Sequence, residues 1–259
     1  MATFAVPGAE LAVSLSDEGG HPVVQLHGLT SSRARDRLLN LDLGRGLHGT
    51  RLLRYDARGH GKSTGRKVPS DYRWTVLADD LLRLLEKWFP GEQVHGVGPS
   101  MGTATLLHAA AREPERFAGL TLMVPATAWE TRPAQAAHYR AAADLIESEG
   151  VDALIAASRL IAPPPAQVGV PETVPDVPDA LLPSLFRGAA LSDLPAPEAI
   201  TRIDAPTTIL AWIDDPGHPL STAESLAALL PNATLTVAST PDDVETWPQI
   251  LSEDVARRG

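Results

Sequence analysis

Short apolar runs alternate with segments of helical periodicity through most of this chain, and that alternation limits the folds open to it. Residues 75–88 place apolar side chains at helical spacing, whereas residues 51–55 form a short apolar run typical of a buried strand. Strands joined by helices form βαβ units, in which the strands run parallel and helices cover both faces of the sheet. We therefore predict an α/β fold with a mostly parallel sheet of about eight strands. The patterns place strands at residues 23–26, 51–55, 93–97, 119–124, 207–212 and 234–238, and helices at residues 75–88, 100–111, 221–230 and 245–257.

The alternation is interrupted between residues 126 and 203. No clear strand pattern occurs there, residues 134–149 and 151–161 have a helical pattern, and a proline-rich stretch follows them. Structureless loops longer than about 15 residues are uncommon in compact domains. We therefore predict a core made of residues 1–125 and 204–259, with residues 126–203 inserted as a helical cap. An ordinary peripheral loop region is the alternative.

Composition narrows the classes of partner and location. The chain has 259 residues, 44% of them hydrophobic, which is enough for one large buried core. Its net charge of −10 repels nucleic acid and anionic lipid surfaces, so a small-molecule substrate is the expected partner. It has no cysteine, no signal-peptide pattern at the N-terminus and no apolar stretch of bilayer length, so a cytoplasmic location is expected. A homodimer is compatible with this composition.

No cofactor or metal ion is expected from the residue patterns. Asp214, Asp215 and His218 lie close together in the sequence, but no second histidine is near enough to complete a metal site.

The segment Gly98-Pro99-Ser100-Met101-Gly102 matches G-x-S-x-G and lies between a predicted strand and a predicted helix. A serine on such a sharp turn needs small neighbours, and the two glycines meet that need. The helix start then offers a positive dipole end and free N–H groups, of which that of Met101 can face a developing oxyanion. We predict that Ser100 is a nucleophile. A glycine-rich turn with Ser100 as a helix cap is the alternative.

Three further motifs, together with this serine turn, resemble those of the α/β-hydrolase family. His27-Gly28-Leu29 resembles the family's oxyanion loop, residues 56–63 (DARGHGKS) resemble its D-x-R-G-x-G-x-S segment, and residues 212–216 (WIDDP) resemble the G-x-x-D-P that carries the triad acid. The resemblance covers nearly the whole chain and is closest in kind to small esterases and lactonases. It implies that the Leu29 N–H is a second oxyanion donor and that His27 is a scaffold residue of that loop.

The chain departs from the family pattern at two places. Trp212 stands where the family usually has glycine, which leaves two candidate acids. Asp215, directly before proline, fits the family spacing better, and Asp214 is interpreted as a turn carboxylate. The second departure is the triad histidine, which normally follows the last strand; no histidine occurs after His218.

A serine hydroxyl is a poor nucleophile without a base, which contributes about 10²–10⁴-fold to the rate. His218 lies three residues beyond Asp215, in the loop after the acid strand, where parallel sheets place their sites. We therefore predict an Asp215–His218–Ser100 arrangement; a helix-entry histidine packed on the cap is the alternative. Asp242 or Asp243 is a second candidate base, because burial can raise a carboxylate pKa, but a cap of the final helix is the favoured interpretation of both.

These residues together predict a serine hydrolase that acts on a small-to-medium ester or lactone in an apolar pocket supplied by the cap. Ser100 would attack the carbonyl, the N–H groups of Leu29 and Met101 would hold the oxyanion, and Asp215 would orient His218. The alternative is a catalytically altered relative, which binds a small ligand or runs a cofactor-free, non-hydrolytic reaction.

Overall fold

An eight-stranded sheet forms the centre of the computed structural model, which describes residues 2–257. Its strands are β1 (Ala2–Val6), β2 (Ala9–Asp17), β3 (Pro22–Gln25), β4 (Arg51–Tyr55), β5 (Val94–Pro99), β6 (Phe117–Met123), β7 (Thr207–Trp212) and β8 (Ala233–Ala238). They are ordered β1-β2-β4-β3-β5-β6-β7-β8. The neighbours from β4 to β8 pair in parallel, and β2 pairs antiparallel with both β1 and β4. The predicted mostly parallel sheet of about eight strands is confirmed.

The two N-terminal strands are the part of the sheet that the sequence patterns do not predict. β1 is an edge strand with mostly exposed side chains, and β2 is exposed over its last four residues. β2 therefore lacks the continuous apolar run of a central parallel strand. β1 is mostly apolar, but no helix separates it from β2, so it lies outside the strand–helix alternation. A two-residue turn joins Val6 to Ala9, and Gly8 in that turn has φ +83°, a conformation that favours glycine.

Helices cover both faces of the sheet, as predicted. The neighbouring strand residues Leu52 and Leu53 belong to different apolar clusters because successive side chains of a strand point to opposite faces. No helix among residues 2–257 has both the length and the apolar character needed to cross a membrane. The helices are α1 (Arg33–Leu38), α2 (Trp74–Trp88), α3 (Met101–Arg112), α4 (Arg132–Glu149), α5 (Val151–Ser158), α6 (Leu182–Ala190), α7 (Pro197–Ile200), α8 (Leu220–Leu229), α9 (Pro241–Glu245) and α10 (Trp247–Ala256).

The first face of the sheet packs against α2, α3 and α8, and the second packs against α10 and a short turn around Leu43. The apolar cluster on the first face includes Leu81, Leu106 and Leu226. The cluster on the second face includes Leu251. These side chains are fully buried, so each contributes roughly 1.5–3 kcal/mol of transfer free energy. The two clusters hold the strand ends, from which the site loops emerge, in fixed positions.

Residues 126–203 contain α4 to α7 and no strand. Ala143 of α4 packs with Leu182 and Leu185 of α6 in an apolar cluster of its own, which also includes Tyr72. The segment therefore has its own small core against the main domain. Its definition as an inserted cap with these boundaries stays a prediction.

The proline-rich stretch of this segment is tied to the loop that follows β3. The Asp176 N–H donates to the Thr30 carbonyl at 2.9 Å, and the Ser32 hydroxyl donates to the Asp176 carboxylate at 2.5 Å. The Arg35 guanidinium donates to the Thr173 hydroxyl at 2.7 Å. These bonds hold the stretch across residues 30–35 as an ordered strap.

Candidate active site

Ser100 lies alone between the last residue of β5 and the first residue of α3, with φ 51° and ψ −107°. A positive φ is strained for a residue with a side chain, and it makes the chain turn sharply from strand to helix. A Cβ added to Gly98 would lie 2.9 Å from the Leu26 Cβ, and one added to Gly102 would lie 3.0 Å from the same atom. The two glycines therefore let the turn pack closely against Leu26, the residue directly after β3.

The backbone of this turn is fixed from neighbouring elements. The Ser100 N–H donates to the Met123 carbonyl at 2.9 Å. The Thr103 hydroxyl lies 2.7 Å from the Gly98 carbonyl oxygen and 2.9 Å from that of Met123. The Ser100 side chain makes no capping bond to α3, so the predicted alternative of a capping serine is wrong. Its hydroxyl instead faces the loop after β7.

His218 bridges Ser100 and Asp215. Its Nε2 lies 2.8 Å from the Ser100 Oγ, and its Nδ1 lies 2.8 Å from Oδ2 of Asp215. The carboxylate can only accept, so Nδ1 carries the proton and Nε2 is left to accept the serine hydroxyl. The structure therefore brings together the three residues that the sequence predicts as nucleophile, base and acid.

Asp215 forms a compact turn with the residues that follow it. Its Oδ1 accepts the N–H of Gly217 at 2.9 Å and that of His218 at 3.3 Å. Its Oδ2 also accepts the indole N–H of Trp212 at 2.8 Å. Burial acts to raise the pKa of Asp215, but His218, Trp212 and Gly217 together outweigh burial and lower that pKa to about 2. The carboxylate is therefore ionised throughout the neutral range.

The other candidate acid and base residues lie outside the contacts that join Ser100, His218 and Asp215. Asp214 lies in the turn after β7 with φ 59°, as its interpretation as a turn residue requires. Asp243 accepts the N–H groups of Ser239 and Thr240 at 2.8 and 2.9 Å, and Thr240 caps the helix in return. Asp242 is exposed. The capping interpretation is confirmed for Asp243, with one correction: the capped helix is the short α9, and the final helix starts separately at Trp247.

The loop after β3 is held by a histidine in one defined tautomer. The Nε2 of His27 accepts the Ala57 N–H at 2.9 Å, so its Nδ1 carries the proton and donates to the Gly28 carbonyl at 2.8 Å. Burial lowers the pKa of His27, which keeps the ring neutral in this role. The peptide bond between Gly28 and Leu29 is trans. The Leu29 N–H therefore points in the opposite direction to the Gly28 carbonyl that accepts from His27.

Leu29 and Met101 are the two predicted oxyanion donors. Gly28 is adjacent to the nucleophile, since a Cβ added there would lie 4.0 Å from the Ser100 Cβ. Met101 is the first residue of α3, so its N–H has no acceptor within the helix. The Leu29 N–H makes no backbone or side-chain hydrogen bond within residues 2–257. Both groups are therefore free to bind an oxygen, while their joint role as an oxyanion hole stays a prediction.

Trp212 is the site residue whose contact the sequence does not reveal. The motif alone shows a bulky residue where glycine is usual, and it gives no sign of where the indole points. The ring is 5% exposed and stacks on Trp247 of α10, with the ring centroids 6.0 Å apart. A tryptophan three residues before a candidate acid is the signal that could have drawn attention to it.

Comparison with known proteins identifies the fold and the family of this chain. A profile of the α/β hydrolase fold family matches residues 21–158. "Putative carbamate hydrolase RutD" of Pseudomonas syringae is 30% identical over 193 residues, which are 71% of this chain and 73% of that protein. Human monoglyceride lipase is 40% identical over 90 residues, but that match spans only 29% of the lipase. The crystal structure of the enol-lactonase from Burkholderia xenovorans superposes with a TM-score of 0.79 at 21% identity, covering 98% of this chain and all of the other. With the family's profile matched over more than half of its length and its motifs gathered around Ser100, the chain belongs to the α/β-hydrolase fold family.

Proposed function

We propose that this protein is a serine hydrolase of small-to-medium carboxylic esters or lactones, with Ser100 as nucleophile, His218 as base and Asp215 as acid. The observation that carries the proposal is the unbroken series of 2.8 Å contacts from Ser100 through His218 to Asp215. A hydroxyl, a neutral imidazole and a buried carboxylate in this order form the arrangement that activates serine for acyl transfer. The base comes from the loop after β7, and not from the loop after β8.

The geometry defines the steps of the reaction. The Ser100 Oγ attacks the substrate carbonyl carbon while its proton passes to Nε2 of His218. The carbonyl oxygen becomes an oxyanion, which the N–H groups of Leu29 and Met101 stabilise. As the tetrahedral intermediate collapses, His218 gives the proton to the departing alkoxide, and an acyl–Ser100 ester remains. Water then attacks that ester by the same route, releasing the acid and restoring the serine. In a lactone the alcohol stays tethered to the acyl group.

The substrate class is inferred from the surroundings of the site and from the relatives. The Leu29 side chain packs against the apolar cluster of α4 and α6, with Tyr139 at its edge. An apolar acyl or alcohol group is the kind of ligand that such a lining favours. The names of the relatives describe a lipase, a lactonase and a carbamate hydrolase, and each of these activities attacks a carbonyl that bears a heteroatom leaving group.

The alternative, a catalytically altered relative, depends on a serine that lacks a base. The contact between His218 and Ser100 removes the main ground for that alternative. The altered-relative alternative is therefore kept as the interpretation that would follow if the labelling and hydrolysis experiments below were negative.

Treatment with a fluorophosphonate probe, followed by peptide mass spectrometry, tests the proposal. We expect rapid labelling at Ser100 alone in the folded protein, because an activated serine attacks the phosphorus as it would attack an ester carbonyl. Ser100→Ala is expected to abolish labelling, and the heat-unfolded protein is the control for non-specific reaction. Hydrolysis of p-nitrophenyl esters from acetate to octanoate, and of δ-valerolactone, would then define the substrate. A folded wild-type protein that is neither labelled nor active on this panel would favour the ligand-binding or non-hydrolytic alternative.

A further inference from the structure

We propose that Trp212 is a positioning residue of this site: its indole N–H anchors the Asp215 carboxylate to the sheet, so that His218 on the same loop is aimed at Ser100. The inference rests on the proposed function, because it concerns how the base of that reaction is held. Within residues 2–257, Trp212 donates its hydrogen bond to Asp215 and none to Ser100, and in the proposed reaction it does not bind the substrate.

The bonds of the Asp215 carboxylate fall into two kinds. Three of them come from the residues just after it, namely the N–H of Gly217, the N–H of His218 and Nδ1 of His218. These bonds define the shape of the turn, but they move with it and cannot fix its direction. Among residues 2–257, the Trp212 indole is the donor that reaches this carboxylate from outside the turn. The direction of the acid therefore depends on Trp212.

Trp212 is itself firmly held, as an anchor must be. It is the last residue of β7, whose whole length is buried. Its ring stacks on Trp247 at an interplanar angle of 18°, and the His218 ring meets it edge-on, with centroids 6.3 Å apart at 87°. Strand, stack and hydrogen bond together fix where the indole N–H points.

A second bond ties the same turn to the rest of the protein. The Thr127 N–H donates to the Gly217 carbonyl at 3.3 Å. This bond holds the backbone of the turn, whereas the Trp212 bond holds the acid side chain. Loss of the Trp212 bond should therefore loosen the carboxylate without releasing the loop.

Loss of the indole N–H weakens the hold on the Oδ2 atom that accepts Nδ1 of His218. Oδ1 keeps its bonds to the N–H groups of Gly217 and His218, so the carboxylate stays in the turn but is less firmly oriented. The imidazole should then spend less time aimed at the Ser100 Oγ, and turnover should fall.

The experiment compares Trp212→Phe with Trp247→Phe. Both changes shorten an indole to a phenyl ring in the same stack, but the Trp247 Nε1 has no hydrogen-bond partner within the described residues, so its loss breaks no bond. We expect Trp212→Phe to lower kcat/KM roughly 10- to 100-fold, the effect of one lost hydrogen bond to a charged group. Trp247→Phe keeps an aromatic ring in the stack and breaks no hydrogen bond among residues 2–257, so its kcat/KM should fall far less than that of Trp212→Phe.

A double-mutant cycle with Asp215→Asn tests whether Trp212 acts through the acid. If it does, adding Trp212→Phe to Asp215→Asn should cost almost nothing further in kcat/KM. Additive losses, or equal behaviour of the two Phe variants, would overturn the proposal and leave Trp212 as a packing residue. If the Trp212→Phe protein does not fold, Trp212→Tyr is used in its place. Tyrosine fills more of the indole volume and has no N–H at that position.

One measurement separates failure of this inference from failure of the proposed function. Proton NMR of the His218 Nδ1–H reports the carboxylate–imidazole bond even if the protein hydrolyses nothing. A signal weakened in Trp212→Phe but kept in Trp247→Phe supports the positioning role whatever the activity. An unchanged signal in both variants contradicts that role, even if wild-type Ser100 is labelled by the fluorophosphonate.

Discussion

Replacing His218 with alanine is expected to lower kcat about 10²–10⁴-fold, the usual effect of removing a general base. The expectation follows from the 2.8 Å contact between Nε2 and the Ser100 Oγ, because His218 is the base that contacts this hydroxyl within residues 2–257. The side chain is 25% exposed and bonds to the Asp215 carboxylate, so the change should cost some stability. KM should stay close to the wild-type value because the base transfers a proton and does not bind the ground-state substrate. Steady-state kinetics with a p-nitrophenyl ester, together with a thermal melt, measures these effects.

His48→Ala is the matched control for this prediction, because the His48 side chain is 87% exposed and far from the triad in sequence. It should keep wild-type kinetics. Full activity in the His218→Ala protein would contradict the assignment of the base. Asp243→Asn would then be the next variant, although its bonds to the start of α9 give it a structural role already.

Replacing Asp80 with alanine is expected to destabilise the fold by about 3–5 kcal/mol, the cost of leaving one charge of a buried ion pair unpaired. Asp80 receives two bonds from Arg58, at 2.7 and 2.8 Å, and the side chains are 2% and 3% exposed. Arg58 retains a more distant contact with Asp71 at 3.8 Å, so the lower end of that range is the better expectation. Urea unfolding followed by tryptophan fluorescence measures the free energy.

The neighbouring Asp79 provides the control for this second prediction. It also lies on α2 and pairs with an arginine, Arg112, but the two side chains are 49% and 37% exposed. A surface ion pair is worth about 0–1 kcal/mol, so Asp79→Ala should be nearly neutral. If the two variants lost the same free energy of unfolding, burial would not be the cause, and the Arg58–Asp80 pair would have no special role in the core.

Local patterns were sufficient for the central strands and for the three residues that the structure brings into contact, Ser100, His218 and Asp215. β5 and β7 are buried along their whole length, and the serine turn follows from the spacing of its two glycines. The role of His218 could be predicted because it lies only three residues after Asp215. Residues that close in sequence stay close in space whatever the rest of the fold. β1 was not predicted, although four of its five residues are apolar, because a two-residue turn joins it to β2 and it therefore lies outside the strand–helix alternation.

The contact of Trp212 with the acid could not be predicted in the same way. The direction of its indole depends on the position of Trp247, which belongs to α10, a different element of the fold. The strap through Asp176 has the same origin, because its bond to Ser32 joins residues 144 positions apart in the chain. Contacts of this kind depend on tertiary packing, about which periodicity and spacing carry no information.

Asp215 and His218 lie on one short turn, and this placement determines which contact of the triad is lost when the site is distorted. The bonds within residues 212–218 hold acid and base to each other, so the triad makes one long-range contact, between His218 and Ser100, which lie 118 positions apart. A rearrangement that moves this segment together with the end of β7 would keep the acid and the base paired. The serine would then lose its base while the imidazole–carboxylate contact remained. Inactive conformations of this protein should therefore differ from the active one in a single contact of the triad, the one between His218 and Ser100.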